Sequence, residues 1–349
     1  MTASVGNDLS RLPSLVAVIM PAYNSQATIV RAIESVRAQT LPDWTLTIVD
    51  DGSTDATSAV VNEYIRRHRL TNVQLITLTT NVGVAEARNV GISKSSSTWI
   101  SFVDADDEMV PTHLSTMIRE VGAHTEVDIV LCGRTVVLTT GRETHQHSKR
   151  LGVFAGAVAA RLTLSDQLTP FPWDRLIRRT LFNGTGFPKG ATRCEDSMTN
   201  VVLCSRARRV VSIAESGVRY YVSGGSITWG RIYTLDDTRI AWNYMKSTIS
   251  PEMKSGMFGL ALNNARATVA LTIAQTAMTR DGANIPKERR AQIASVVDEC
   301  REHIRLRDIL SGFVVNPTTG MAAALLKVMP ALYRLLYRRY VAATYEVAG

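Results

Sequence analysis

The sequence predicts an α/β fold in which a mostly parallel sheet is flanked by helices and followed by a helical C-terminal appendage. Four short apolar runs, at 15–20, 45–49, 73–78 and 99–103, alternate with segments of helical periodicity. Polar clusters follow the first, second and fourth of these runs. Because ligands of open α/β sheets bind outside the carboxyl ends of the strands, we expect these clusters to form one ligand site.

The helices between these strands are predicted from apolar spacing and from capping residues. Ser25 is expected to cap the first helix, and Ser53 or Thr54 to begin the second, which extends to about Arg67. A third helix is expected over 84–94 and a fourth over 111–121. Further strand is expected over 128–132 and 135–139, followed by a polar hairpin turn at 141–149. From 235 onward the pattern is helical, with long amphipathic stretches at 257–278 and 287–310.

Length and composition restrict the class of protein. The chain has 349 residues, 45% of them hydrophobic, and fits one large soluble domain with an appendage. Its four cysteines lack disulfide or metal spacing, which favours reduced thiols in the cytosol. We find neither a secretory signal nor an apolar run long enough for a membrane span, so we expect a cytoplasmic protein. The net charge of +8 favours an anionic partner: nucleic acid, an acidic membrane surface or a phosphate-rich substrate.

The acidic cluster after the fourth strand is the sharpest chemical signal. Asp104, Asp106 and Asp107 lie within four residues, at the end of an apolar strand, where their charges repel one another. A cation would offset that repulsion, and hard oxygen ligands suit Mg²⁺ or Mn²⁺. The alternative is an acidic surface turn, which the apolar residues of the preceding strand disfavour.

The clusters after the first two strands have features of a nucleotide site. The ring of Tyr23 can lie against a flat base, and Asp51 can accept a hydrogen bond from a ring N–H, which uracil and thymine possess. Each segment also fits a plain turn or a helix cap. Arg88 can pair with a phosphate, whereas the neighbouring Asn89 is assigned to a solvated helix face.

Taken together, residues 16–107 resemble the family 2 glycosyltransferases with the GT-A fold. The motifs follow in the order VIMPAYN, IVDDGSTD, NVGVAEARNVGI and FVDADDE, and the resemblance continues at 173–179, 186–188 and 195–196, covering roughly 15–228. It implies a nucleotide site of Pro21, Tyr23, Asp51, Asn81, Arg88 and Asp104. It also implies metal contact by Asp106 and Asp107, a catalytic base at Asp196 with Glu195 beside it, and acceptor-side roles for Trp173 and Asp174. Asp174 stands where the family more often has Asn.

The resemblance implies an inverting hexosyl- or N-acetylhexosaminyltransferase dependent on Mn²⁺ or Mg²⁺. The donor would be a UDP-sugar, less readily a dTDP-sugar, and the acceptor a hydroxyl group. The product would be a cell-envelope glycan, a teichoic-acid-like polymer or a polysaccharide. Independently, Asp196 precedes a helical pattern, and a helix N-terminus stabilises an ionised carboxylate. The basic residues between 175 and 209 fit an anionic or lipid-linked acceptor, or else a solvated face.

We expect three regions: a tail at 1–14, a catalytic domain at 15–230 and a helical region at 231–349. Within the catalytic domain, 15–107 would bind the nucleotide-sugar and 108–230 the acceptor. The helical region is expected to pack on the domain, to pair subunits into a homo-oligomer, or to contact a membrane. Residues 321–340 resemble a basic amphipathic helix that would rest on the inner membrane face, although Pro330 weakens its continuity.

Two other functions compete with glycosyl transfer. A nucleotidyltransferase would usually carry a Gly-rich loop after the first strand, and residues 21–26 contain no glycine. A non-catalytic module that binds a polyanion would not need the acids Asp51, Asp104, Asp106 and Asp196. We therefore expect a sugar-nucleotide partner and no nucleic acid.

Overall fold

The computed structural model describes residues 14–222, 232–279 and 286–345. Within these residues a ten-stranded sheet has the order β3-β2-β1-β4-β9-β6-β10-β5, with β7 beside β6 and β8 beside β10. The strands are β1 (Val16–Ala22), β2 (Trp44–Asp50), β3 (Val73–Thr77), β4 (Trp99–Phe102), β5 (Glu108–Met109), β6 (Val127–Val137), β7 (Glu143–Gln146), β8 (Gly152–Ala155), β9 (Arg175–Arg178) and β10 (Arg209–Tyr221).

The first four strands are parallel, and their carboxyl ends lie together. Ala22 pairs with Asp50, and Asp50 pairs with Thr77. Ile19 of β1 pairs with Phe102, the last residue of β4. Strand β9 runs antiparallel between β4 and β6, which makes the sheet mixed. The loops after β1, β2 and β4 therefore meet at one edge, as the sequence predicts.

Helices cover both faces of the sheet and continue into the appendage. They are α1 (Ile29–Arg37), α2 (Thr57–His68), α3 (Val84–Ser93), α4 (His113–Ala123), α5 (Gly156–Leu164), α6 (Glu195–Arg206), α7 (Arg239–Thr248), α8 (Gly256–Met278), α9 (Lys287–His303), α10 (Leu306–Val315), α11 (Pro317–Val328) and α12 (Pro330–Tyr345). One apolar core packs α1, α2 and α4 against the sheet, and a second packs α3, α5 and α6 on the other face. A third core lies among the C-terminal helices.

Several predicted boundaries differ from the structure. Helix α1 begins at Ile29 and has no side-chain cap; instead the Ser25 carbonyl accepts the N–H groups of Thr28 and Ile29. Helix α2 begins at Thr57 rather than at Ser53 or Thr54. The predicted turn at 141–149 contains strand β7, because this segment pairs with β6. The stretch 287–310 is divided between α9 and α10, and 321–340 is divided where α12 starts at Pro330.

The described residues also bear on other expectations. The four cysteines are free thiols. Within 14–222, 232–279 and 286–345, every helix is too short or too polar to cross a bilayer. The predicted tail at 1–14, apart from its last residue, and the predicted boundary at 230 lie outside the described residues.

Candidate active site

The loops after β1 and β2 are locked together by hydrogen bonds. The Asp51 N–H donates to the Ala22 carbonyl at 2.8 Å. The Asn24 N–H donates to Ser53 Oγ at 2.9 Å, and the Thr54 N–H donates to Asn24 Oδ1 at 2.9 Å. This pairing fixes the backbone on either side of Tyr23, whose side chain stays 44% exposed at the edge of the site. Pro21 is buried within β1.

Asp51 organises the next loop. Its Oδ1 accepts the Val82 N–H and its Oδ2 accepts the Gly83 N–H, each at 2.8 Å. The carboxylate thereby fixes the loop that carries the exposed Asn81. Each carboxylate oxygen has two lone pairs, so these contacts leave acceptor capacity for a base N–H.

Arg88 lies at the centre of the site and joins two acids that are far apart in the chain. Its Nη1 donates to Asp196 Oδ1 at 2.6 Å, and its Nη2 donates to Asp104 Oδ1 at 3.1 Å. The guanidinium lies over the Phe187 ring, 5.3 Å from its centroid. Burial lowers the pKa of Arg88, but the carboxylates of Asp196 and Asp104 outweigh that effect and raise it. Arg88 is therefore a fixed cation between the two acids.

Asp196 is the second residue of α6, beside Glu195. Its side chain is 26% exposed. Burial, together with the Glu195 and Asp104 carboxylates and against the opposing charge of Arg88, raises the pKa of Asp196 to about 7. A carboxylate that titrates near neutral pH can accept a proton during a reaction and release it afterwards.

The acidic turn after β4 places its three carboxylates in different surroundings. Asp106 is exposed, Asp104 is half-buried, and Asp107 is buried. Asp107 Oδ1 accepts the Tyr221 N–H at 2.9 Å, whereas its buried Oδ2 has no hydrogen-bond partner among the described residues. Burial, with the nearby charges of Asp104 and Asp106, raises the pKa of Asp107 well above its usual range. Although part of the Asp106 side chain is exposed, desolvation of its carboxyl group by the surrounding protein and the Asp104 charge also raise the pKa of Asp106.

This turn fits a divalent cation that is held largely by a nucleotide. Over the described part of the chain, no three His, Cys, Asp or Glu side chains form a metal cage. Mg²⁺ usually binds one or two carboxylates together with substrate phosphates and water, so a complete protein cage is not required. The unpartnered Oδ2 of Asp107 and the crowding of three acids are both features that a bound cation would relieve.

Trp173 and Asp174 lie in the interior. Trp173 is stacked between Phe171 and Tyr220, at centroid distances of 4.7 and 5.7 Å. Asp174 is fully buried beside Arg175, whose Nε lies 3.5 Å from Asp174 Oδ1. Burial raises the pKa of Asp174. Both side chains are therefore part of the interior and not of the exposed surface.

Among the basic residues predicted to surround Asp196, one is not at the surface and two are paired with an acid. Arg175 is fully buried and donates to the Phe171 carbonyl at 2.9 Å. Arg178 and Arg208 both pair with Asp128, at 2.6 and 3.1 Å. Arg178 of β9 and Arg208, which precedes β10, are thus both held by Asp128 of β6, and the Arg208 side chain stays 56% exposed.

Two residues near the site were missed or misassigned by sequence reasoning. Asn89 is not on a solvated face: its Nδ2 donates to the Phe187 carbonyl at 2.9 Å, and its Oδ1 accepts the Phe187 N–H at 2.8 Å. An amide side chain carries both a donor and an acceptor, so the residue type alone was compatible with this double contact to a backbone. Arg31 of α1 lies 3.8 Å from the centroid of the Tyr221 ring and pairs with Glu108 at 3.0 Å.

Comparisons with known proteins agree with this geometry. The family model for glycosyl transferase family 2 matches residues 17–191. The uncharacterised glycosyltransferase EpsJ of Bacillus subtilis is 29% identical over 224 residues, which are 61% of this chain and 63% of EpsJ. The Escherichia coli UDP-Glc:α-D-GlcNAc-diphosphoundecaprenol β-1,3-glucosyltransferase WfgD is 36% identical over 104 residues, 30% of this chain and 40% of WfgD. The chain therefore spans less than two thirds of either relative.

A crystal structure of S. aureus TarS 1–349 in complex with UDP has a TM-score of 0.59 and 20% identity, covering 95% of this chain and 92% of that one. This likeness confirms the predicted α/β GT-A fold and its helical C-terminal part. The family match, in turn, disfavours both the nucleotidyltransferase and the non-catalytic module. With a family model that matches half of its length, the chain belongs to glycosyl transferase family 2.

Proposed function

We propose that this protein transfers a sugar from a UDP-sugar to an acceptor hydroxyl by a metal-dependent, inverting mechanism. A dTDP-sugar is the less favoured donor, and the transferred group is a hexosyl or N-acetylhexosaminyl unit. The observation that carries the proposal is the network in which Arg88 contacts both Asp104 and Asp196. It places a carboxylate with a pKa near 7 beside the acidic turn expected to hold the nucleotide.

The donor assignment is supported by residues at the edge of the sheet. Tyr23 offers an exposed ring to the base, and Asp51 retains acceptor capacity toward a ring N–H. The crystal structures of TarS include complexes with UDP and with UDP-GlcNAc, and the name of WfgD specifies UDP-Glc as its donor. We propose that Pro21, Asn81 and Asp104 complete the nucleotide site.

Asp196 is the proposed general base. Its ionised form would take the proton from the acceptor hydroxyl as that oxygen attacks the anomeric carbon, and the nucleoside diphosphate would leave from the opposite side. One displacement inverts the configuration at that carbon. Asp106 and Asp107 would hold Mn²⁺ or Mg²⁺, which when bound neutralises the diphosphate. Arg88 would keep Asp196 and Asp104 in fixed positions, because its planar guanidinium contacts both.

The acceptor is proposed to be anionic or lipid-linked, as in cell-envelope glycan or polysaccharide synthesis. The name of WfgD gives a lipid diphosphate sugar as its acceptor, which supports this class. We propose that 15–107 binds the donor and that 108–230 contributes the acceptor side, including the buried residues Trp173 and Asp174. The basic residues around Asp196 contribute little to this assignment, since Arg175 is buried and both Arg178 and Arg208 are paired with Asp128.

Calorimetry and a product assay test the proposal. We expect UDP to bind tightly only when Mn²⁺ or Mg²⁺ is present, and we expect slow release of UDP from a UDP-sugar by transfer to water. CDP is the matched ligand control, since cytosine lacks the ring N–H that Asp51 would accept. Equal binding of CDP and UDP would contradict the base assignment, and UDP binding unaffected by a chelator would contradict the metal.

A further inference from the structure

Helix α10 presents its apolar side outward. Leu306 and Val314 are 71% and 64% exposed, whereas Asp308 on the opposite face is fully buried. Leu310 and Phe313 share the exposed face, and Ser311 and Gly312 share the buried one. The apolar stripe of a surface helix normally faces the core of its own protein. Ile309 is buried in the core of the C-terminal helices, but most of the apolar side chains of α10 face outward.

Contacts on the buried face fix this orientation. A Cβ on Gly312 would lie 2.8 Å from the Cα of Gly320 in α11, so the two backbones touch. Asp308 Oδ2 accepts the Arg305 N–H at 3.0 Å and caps the helix. Ser311 Oγ lies 3.2 Å from Asn263 Nδ2. Rotation of α10 to bury its leucines would break the capping contact and separate the two glycines.

The exposed apolar surface continues into a groove beside α10. The groove has a volume of about 370 Å³, and its apolar lining consists of Phe154, Val158, Leu162, Met257, Val314 and Val315. Met257 at the start of α8 is 49% exposed. Contiguous exposed apolar surface of this kind marks an interaction site in soluble proteins.

Basic side chains border the same surface. Arg150 and Arg161 line the groove. Arg305 and Arg307 flank the first residue of α10, and the Arg307 side chain is 55% exposed. The chain carries a net charge of +8. An apolar helix face bordered by arginines matches the interface of an anionic bilayer, where apolar groups enter the acyl boundary and cations meet head-group phosphates.

We propose that α10 and its groove form a docking surface for an anionic lipid bilayer. Leu306, Leu310, Phe313 and Val314 enter the interface, and Arg150, Arg161, Arg305 and Arg307 contact the phosphates. This surface differs from the segment 321–340 expected from the sequence, which is divided between α11 and α12. The proposal does not depend on which donor or acceptor the enzyme uses.

Flotation with vesicles tests this surface. The full chain is mixed with phosphatidylcholine vesicles, with or without phosphatidylglycerol, and the bound fraction is measured at low and high salt. We expect binding only to the anionic vesicles, weakened by salt. The double variant Leu310→Glu/Val314→Glu should reduce binding about tenfold or more, because two aliphatic side chains leave the interface and two negative charges enter it.

Matched variants distinguish the α10 surface from exposed apolar residues elsewhere on the protein. Val30→Glu changes an exposed apolar residue of α1 and should leave binding unchanged. Leu335→Glu/Leu336→Glu changes two exposed residues of α12 and should reduce binding less than the α10 variant. Unchanged thermal midpoints would show that the variants fold.

Three results would overturn the proposal. The first is a parent chain that does not float with anionic vesicles, and the second is an α10 variant that floats as well as the parent. The third is a dimer of the parent, detected by light scattering, that the α10 variant abolishes. That result would assign the surface to a second copy of the chain.

Discussion

Arg88 and Asp196 are 108 residues apart in the chain, yet their side chains meet at 2.6 Å. The second guanidinium nitrogen of Arg88 contacts Asp104, so one buried cation joins the proposed base to the acidic turn. Its Nε is buried without a hydrogen-bond partner among the described residues. Such a cation holds both carboxylates in place and keeps more of Asp196 ionised near neutral pH.

Replacement of Arg88 should move the pH profile of the enzyme. Because the Arg88 charge lowers the pKa of Asp196, Arg88→Ala should raise that pKa above about 7 and shift the rising limb of kcat/KM to higher pH. Arg88→Lys keeps the charge but cannot contact both acids with a planar fork, so it should retain the profile better while losing activity. A variant with lower activity and an unshifted profile would assign Arg88 to substrate binding alone.

Asp196→Asn should lose transfer and retain UDP binding. Loss of a general base typically costs a factor of about 10² to 10⁴ in rate. Glu195→Gln is the matched control, because it changes the neighbouring acid in the same helical turn and should cost only a few-fold. Product release and calorimetry on both variants check this assignment. Activity of Asp196→Asn within a few-fold of the parent would move the base to Glu195.

Cation binding should strengthen as pH rises. The pKa values of Asp106 and Asp107 are raised, and a cation binds their ionised forms in competition with protons. In the free protein, the folded-state pKa of Asp107 lies well above the ordinary 3.8. The contribution of this carboxyl group to folding stability is therefore complete below pH 3.8, and it is lost as pH rises through the folded-state pKa.

We therefore expect Mn²⁺ with UDP to raise the thermal midpoint more at neutral pH than at an acidic pH near the ordinary carboxyl pKa of 3.8. Asp106→Ala should reduce that increase, whereas Asp236→Ala, an exposed acid outside the site, should leave it unchanged. An equal increase at both pH values would show that these carboxylates do not hold the cation.

Gly52 should be more sensitive to alanine than other glycines with positive φ. Its φ is 70°, and an added Cβ would lie 2.6 Å from the Thr80 carbonyl carbon. Gly184 has a φ of 68° with nothing within 4 Å of an added Cβ. Gly184→Ala should therefore lower the free energy of unfolding by about 1 kcal/mol through backbone strain alone. Gly52→Ala should lower it by about 2–4 kcal/mol, because overpacking adds to the strain.

Chemical denaturation measures both values. Equal losses for the two variants would mean that the loop at Thr80 relaxes without cost. A larger loss for Gly52→Ala would confirm that close backbone approach, and not only the sign of φ, requires glycine there.

The sequence by itself predicted the first four strands, their parallel arrangement and the edge at which the motifs meet. These features follow from local patterns. A run of apolar residues predicts a buried strand and the polar residues after it predict where the strand ends, whatever the distant contacts are. The motif order also led to the family that the comparisons confirm. Helix starts were predicted less well, because the Ser25 carbonyl, rather than its hydroxyl, receives the first amides of α1.

Tertiary structure alone decided which charged groups meet. The sequence did not indicate that Arg88 pairs with Asp196, or that Arg178 and Arg208 pair with Asp128. The fold brings these groups together across 50 or more residues. It also turned the apolar face of α10 outward, because the contact between Gly312 and Gly320 fixed the helix orientation. Such contacts depend on which elements, remote in sequence, pack beside each other. The periodicity within one helix or strand indicates which face is buried, but it does not indicate which remote residue lies against that face.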